Sequence, residues 1–248
     1  MGKIILITGG SEGIGAATAR LAAKCGYVVC VNYLKNHDAA AAVVDEIKQN
    51  GGTAFAFAAD VSMETEVIAL FKKIDQQVGS ITALVNNAGI VMPQQRVEEM
   101  TAERISRVFA VNVVGSFLCC REAIKRMSTK NGGAGGAIVN VSSAASRHGS
   151  PGEYVDYAAT KGAIDTLTIG LSKELADQAI RVNAVRPGII DTAIHAKAGD
   201  PERARRLASS IPMKREGRPD EVSHTILWLL SEEASYITGA LLDVSGGR

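Results

Sequence analysis

The sequence predicts an α/β chain: a doubly wound parallel sheet of about seven strands with helices on both faces, in a single domain spanning residues 1–248. Two observations predict it. Short apolar runs rich in Val and Ile recur at 3–8, 27–33, 53–58, 82–86, 137–141, 180–185 and 240–244. Stretches with helical periodicity lie between them, at 38–50, 64–78, 101–128, 157–177 and 219–231. Strands joined by helix-length crossovers run parallel, and right-handed crossovers place helices on both faces. Composition agrees, since aromatics make up only 4% and the core must be built from Ala, Val, Ile and Leu.

Taken in order, strand 3–8 runs into Thr8-Gly9-Gly10-Ser11-Glu12-Gly13-Ile14-Gly15, and an Ala-rich helix follows. Gly51-Gly52 ends the helix at 38–50, and Ser62 is expected to cap the helix at 64–78. Strand 82–86 runs into the tight turn Asn86-Asn87-Ala88-Gly89. The Gly-rich segment 131–136 reads as a turn before strand 137–141, which ends at Ser142-Ser143. Pro219 suits the first turn of the last helix. Segment 189–216 breaks the rhythm, being charged and uneven, and reads as a flap that excludes water from a site.

Lys and Arg (27) nearly balance Asp and Glu (26), which leaves no electrostatic footprint for nucleic acid or an anionic membrane. The run Ile4-Ile5-Leu6-Ile7 is too short for a signal segment or a membrane span, so a cytoplasmic protein is expected. Cys25, Cys30, Cys119 and Cys120 lack metal-ligand spacing. They are expected to be buried free thiols, and no metal is expected.

Strand, glycine turn and helix start in this order make a pyrophosphate site. Glycines let the backbone approach the phosphates, and free N–H groups with the helix dipole stabilise their charge. The second strand ends at Asn32-Tyr33, where an NAD site usually carries an acid for the ribose 2′-hydroxyl. Asn32 does not repel a 2′-phosphate and Lys35 can pair with one, whereas Glu12 opposes it. The balance leans to NADP over NAD.

Tyr157 and Lys161 stand at i and i+4 on one helix face. A neighbouring ammonium, with the positive charge of an oxidised nicotinamide, is expected to lower the phenol's pKa toward neutrality. Ser142 and Ser143 lie at the carboxyl edge of the sheet, where open α/β folds bind ligands, and alternation along the strand favours Ser143. Asn112, inside a helix, either caps a kink or serves a site.

Together these residues resemble the short-chain dehydrogenases/reductases over essentially all of 1–248, and glucose 1-dehydrogenase-like and 3-oxoacyl-thioester reductase-like members are similar. Thr8 to Gly15 match the family's T-G-x-x-x-G-x-G, Asn86 to Gly89 its N-N-A-G, and Pro187 to Thr192 its P-G-x-I-x-T. The resemblance implies a Rossmann-type fold and an NAD(P)-dependent oxidoreductase. The cofactor would be held by Gly9, Ser11, Glu12, Gly13, Ile14, Gly15, Asn32, Tyr33, Asp60, Val61, Asn87, Ala88, Gly89, Tyr157, Lys161, Pro187, Gly188, Ile190 and Thr192. It also implies a catalytic tetrad of Asn112, Ser143, Tyr157 and Lys161. In it Tyr157 is the general acid/base, Lys161 holds the nicotinamide ribose, Ser143 orients the substrate oxygen and Asn112 supports a water relay. Ser143 stands fourteen residues before Tyr157, one more than in many members, so Ser142 remains an alternative.

A homotetramer follows from the resemblance alone, because the apolar pattern Ile105, Val108, Phe109, Val113, Phe117 equally suits a core. The expected partner is a small carbonyl or alcohol, with a substrate wall from 144–155 and 189–216 that includes Arg147, His148, Tyr154 and His195. A non-catalytic dinucleotide sensor is the alternative, and it would be favoured by loss of Tyr or Lys from the motif.

Overall fold

The computed structural model describes residues 2–248, so Met1 of the expected domain lies outside it. Seven parallel strands form one sheet in the order β3-β2-β1-β4-β5-β6-β7. They are β1 (Ile4–Ile7), β2 (Val28–Tyr33), β3 (Thr53–Ala58), β4 (Ala83–Asn86), β5 (Gly136–Val141), β6 (Ile180–Pro187) and β7 (Leu241–Val244). The main helices are α1 (Gly13–Lys24), α2 (His37–Gln49), α3 (Glu64–Gln77), α4 (Ala102–Phe109), α5 (Gly115–Met127), α7 (Val155–Glu174) and α10 (Pro219–Leu230). Three short ones, α6 (Ala145–His148), α8 (Ile194–Lys197) and α9 (Arg203–Leu207), border the cleft described below.

Side chains alternate across a strand, and both faces of this sheet are covered, which is why neighbouring strand residues are equally apolar. Ile5, Ile7, Val29, Val31, Val85 and Val139 pack with residues of α1, α2 and α10. Leu6, Leu84, Ile138 and Val182 pack on the other face with residues of α3 and α5. The strand order reverses between β1 and β4, and their carboxyl ends open the crevice where such sheets bind ligands.

Four local expectations need correction. Ser62 does not cap α3: the cap position is Met63, without a side-chain bond, and Ser62 turns its hydroxyl to Asp60 Oδ1 at 2.7 Å. The helix expected at 157–177 begins at Val155, which places Tyr157 in its first turn. The helix expected at 101–128 is interrupted by a wide π turn over Ala110–Val114, centred on Asn112. Cys25 is exposed just beyond α1, while Cys30, Cys119 and Cys120 are buried, and all four are free thiols.

Candidate active site

Two turns at the crevice are locked to each other. Thr8 Oγ1 accepts from the backbone N–H of Asn87 and of Ala88, both at 3.0 Å. Asn87 Nδ2 donates back to the carbonyls of Thr8 (2.9 Å) and Gly9 (3.0 Å). Gly15 has no room for a side chain, since a Cβ would stand 2.4 Å from Gly9 O. Gly9 and Gly13 take φ of +61° and +52°, a region costly for other residues. Glu12, at the N-cap of α1, makes no side-chain bond to the helix, so the free N–H groups there face the cleft. A diphosphate fits this cradle.

A cleft of about 590 Å³ runs from this turn along the strand ends to α6, α7, α8 and α9. Of the expected cofactor residues all line it except Gly15, which instead packs the turn. Asn32 is buried and differs from expectation in its use. Its Oδ1 accepts from Gly9 N at 3.3 Å, and its Nδ2 donates to the carbonyls of Phe57 and Ala59, so the amide braces the glycine turn rather than presenting itself to a ribose. Burial works against the Asp60 carboxylate, but two hydrogen bonds from Ser62 and the Arg107 guanidinium at 3.2 Å hold its pKa below the usual range.

Glu12 is not a free opposing charge. Lys197, the last residue of α8, reaches Oε2 at 2.6 Å, and Asn36 Nδ2 reaches Oε1 at 3.0 Å. Lys197 holds the Glu12 carboxyl below its ordinary pKa.

At the other end Ser143, Tyr157 and Lys161 border the same cleft. Ser142 lines it too, but is buried and donates its hydroxyl to Lys161 O at 3.1 Å, whereas Ser143 stands beside the Tyr157 hydroxyl. Lys161 is 4% exposed, and its Nζ donates to Val141 O at 2.8 Å and sits 5.4 Å from the Tyr157 ring centre. Burial pulls the ammonium down to about 8, with Asp165 opposing the fall. In the protein alone burial pushes the Tyr157 phenol up and Ser143 pulls it back, whereas the expected lowering also counts the charge of an oxidised nicotinamide. The ammonium is committed to Val141 O, and desolvation dominates.

Asn112 does not line the cleft. Its Oδ1 accepts from Ile90 N (2.8 Å), and its Nδ2 donates to Ile90 O (3.0 Å) and Thr160 Oγ1 (3.2 Å). It thereby fixes the strand-end turn beside Gly89, where a Cβ would be 3.4 Å from Asn112 Oδ1 and 3.7 Å from Lys161 Nζ.

Sequence reasoning missed the charges that brace this site. Arg104, buried in α4, donates to both oxygens of Asp156, which in turn accepts from Tyr157 N at 2.9 Å. Arg203, in α9, binds Glu153 and lies 5.0 Å over the Tyr154 ring. Such partners lie too far apart in the chain for any local signal. Asp165, four residues after Lys161, is the one that spacing on a helix could have found. Arg147 turns away from the cleft to pair with Asp243 at 2.5 Å.

Among the described residues no cluster of three or more His, Cys, Asp or Glu could hold a metal ion, and no helix is long and apolar enough to cross a membrane.

A doubly wound sheet with this glycine cradle and a Ser, Tyr and Lys on one cleft defines a nicotinamide-dependent oxidoreductase. The chain belongs to the short-chain dehydrogenase/reductase family. A family model described as enoyl-(acyl carrier protein) reductase matches residues 9–248. The chain is 61% identical over 245 residues to the uncharacterized oxidoreductase YgfF of Escherichia coli K12, covering 99% of each. It is 39% identical to glucose 1-dehydrogenase 2 of Bacillus subtilis, covering 99% of this chain and 94% of that one. A crystal structure of 3-ketoacyl-(acyl-carrier-protein) reductase from Brucella melitensis, complexed with NADH, superposes with a TM-score of 0.90 at 36% identity, covering 99% and 98% of the two chains.

Proposed function

We propose that the protein is an NADP(H)-preferring carbonyl reductase and alcohol dehydrogenase in which Tyr157 is the general acid/base. The observation that carries this reading is the convergence of Ser143, Tyr157 and Lys161 on a cleft that begins at an uncapped helix N-terminus. Gly9 to Ile14 would hold the diphosphate, Asp60 and Val61 the adenine, and Pro187 to Thr192 the nicotinamide. The bound nicotinamide supplies or accepts the hydride.

Ser143 Oγ holds the substrate oxygen beside the Tyr157 hydroxyl, and Tyr157 gives that oxygen a proton as the carbonyl is reduced, or removes it in the reverse direction. A phenol raised by burial is the acid form that reduction needs. Oxidation needs the phenolate, and the positive charges of Lys161 and of an oxidised nicotinamide favour it. Lys161 Nζ, held on Val141 O, would bind the ribose and pass protons to Tyr157. Asn112 sets the turn at Ile90 that shapes this path, and a water relay past Gly89 would reach Lys161. Lys197 removes the opposition of Glu12 to a 2′-phosphate, and with Lys35 this supports the preference for NADP.

The surface of the long helices supports a homotetramer. Val108 is core, but Ile105, Val114, Phe117 and Ile169 are exposed on α4, the π turn, α5 and α7. The buried thiols and balanced charge suit the cytoplasm.

The test is oxidation of NADPH and NADH against a panel of aldehydes, ketones, lactones and 3-oxoacyl thioesters, with Tyr157→Phe alongside the wild type. Turnover that collapses in the variant while cofactor binding persists supports the reading. Turnover that survives removes Tyr157 from its role, and none in the wild type favours a dinucleotide sensor.

A further inference from the structure

The substrate end of the cleft carries polar groups that proton transfer through Tyr157 does not use. His195 Nε2 lies 2.9 Å from Ile190 O. A carbonyl oxygen only accepts, so Nε2 carries the hydrogen and Nδ1 of the neutral ring is left with a lone pair. Nδ1 has no partner among the described residues, and the ring borders the cleft. Burial holds the His195 pKa below its usual value, against the pull of Ile190 O, so the ring stays an acceptor at neutral pH.

A second observation points the same way. Tyr154, 5% exposed and on the same lining, has a buried hydroxyl with no hydrogen-bond partner. An orphan hydroxyl of this kind is costly until a ligand group reaches it. The cation beside it is already committed, since Arg203 binds Glu153 through both Nη1 (3.0 Å) and Nη2 (2.5 Å) and covers the Tyr154 ring. Beside Tyr154 the wall therefore offers a lone-pair acceptor and a hydroxyl, and its own guanidinium, Arg203, is already paired.

We propose that His195 is a specificity-determining residue whose Nδ1 accepts a hydrogen bond from a substrate hydroxyl next to the reacting carbon. The substrates are then uncharged hydroxylated aldehydes or ketones. The proposal rests on the carbonyl reductase reading above. The reaction gives the carbonyl carbon a hydride from NAD(P)H and its oxygen a proton through Tyr157, leaving an alcohol and NAD(P)⁺. Arg248, at the exposed carboxyl end, also borders the cleft, and a substrate with a charged carrier would use it instead.

The experiment measures kcat/KM of the full chain for glyceraldehyde, propanal and acetoacetyl-coenzyme A with NADPH, in the wild type, His195→Phe, His195→Gln and Tyr157→Phe. The expected result is that His195→Phe lowers the glyceraldehyde-to-propanal ratio about 10-fold through KM for glyceraldehyde, the effect of one lost hydrogen bond. His195→Gln, which keeps an acceptor and a donor, restores part of it. A ratio that His195→Phe leaves unchanged overturns the proposal, and so does equal loss of both aldehydes, the mark of a structural role. It is also overturned by a wild type that prefers acetoacetyl-coenzyme A or turns over neither aldehyde. Turnover that survives Tyr157→Phe refutes the underlying reading instead, whatever His195 does.

Discussion

Lys197 Nζ lies 2.6 Å from Glu12 Oε2, so α8 is tied to the glycine turn, both on the lining of the cleft. The pair cancels a charge that would otherwise repel a 2′-phosphate. Lys197→Ala should therefore raise KM for NADPH about 10-fold and KM for NADH no more than about 2-fold, an effect that added salt weakens. Steady-state kinetics with both cofactors at two ionic strengths decide it. An equal change for the two cofactors would count against the assignment.

Lys161 illustrates a site that works against stability. Its ammonium falls from 10.5 to about 8 on burial, so between those values the unfolded chain binds more protons than the folded one. Stability then rises with pH across that window, and below it the full cost remains. A fall of this size corresponds to roughly 3 kcal/mol, less about 1 kcal/mol for the bond to Val141 O that replacement also removes. Lys161→Met should abolish turnover, raise Tm at pH 7 by a few degrees and lose the rise between pH 8 and 10. Thermal melts across this range would reject the account if the variant melted below the wild type at pH 7.

Asp156 holds the first turn of α7 through Tyr157 N. Arg104 and Asp156 are nearly inaccessible, with side chains 9% and 3% exposed, and Asp156→Ala would strand a buried guanidinium. The expected loss is about 3–5 kcal/mol, read by denaturant unfolding. Arg104→Met with Asp156→Leu should recover much of it, because two apolar groups leave no unpaired charge. A double variant as unstable as the single one would contradict this.

Phe117, half exposed on α5, should sit at the centre of a subunit contact. Phe117→Glu is expected to convert a tetramer into a smaller species in light scattering after gel filtration, while the monomer fold persists by circular dichroism. A monomeric wild type would remove the oligomer from the reading.

The sheet and the glycine turn were legible in the sequence because each rests on a local pattern: continuous Val- and Ile-rich runs, and glycines placed where only a missing Cβ fits. Gly9, Gly13 and Gly15 illustrate the second case. Tyr157 and Lys161 were legible through spacing on one helix. Alternation favours Ser143 over Ser142, and the two differ in that the Ser142 hydroxyl is engaged by Lys161 O. What stayed hidden depended on distant partners. Lys197, Arg203 and Arg104 are ordinary surface cations in the sequence until the fold brings Glu12, Glu153 and Asp156 to them. Spacing likewise locates the Lys161 ammonium beside Tyr157 but not the Val141 carbonyl that accepts its hydrogen bond.

The π turn has a consequence for how the long helix can change. Arg104, Val108, Asn112, Ser116 and Cys120 are all buried, each four residues after the last. In an unbroken α-helix every step of four overshoots a full turn by about 40°, and the row would wind off the buried face. The wide turn at 110–114 absorbs about one residue of that drift, so the stripe stays aimed at the sheet. Removing a single residue there would rotate everything beyond it by about 100°, turning Cys119 and Ala123 toward water and Phe117 out of its place on the surface. The rod is therefore as sensitive to a change in its count as to a change in its buried row.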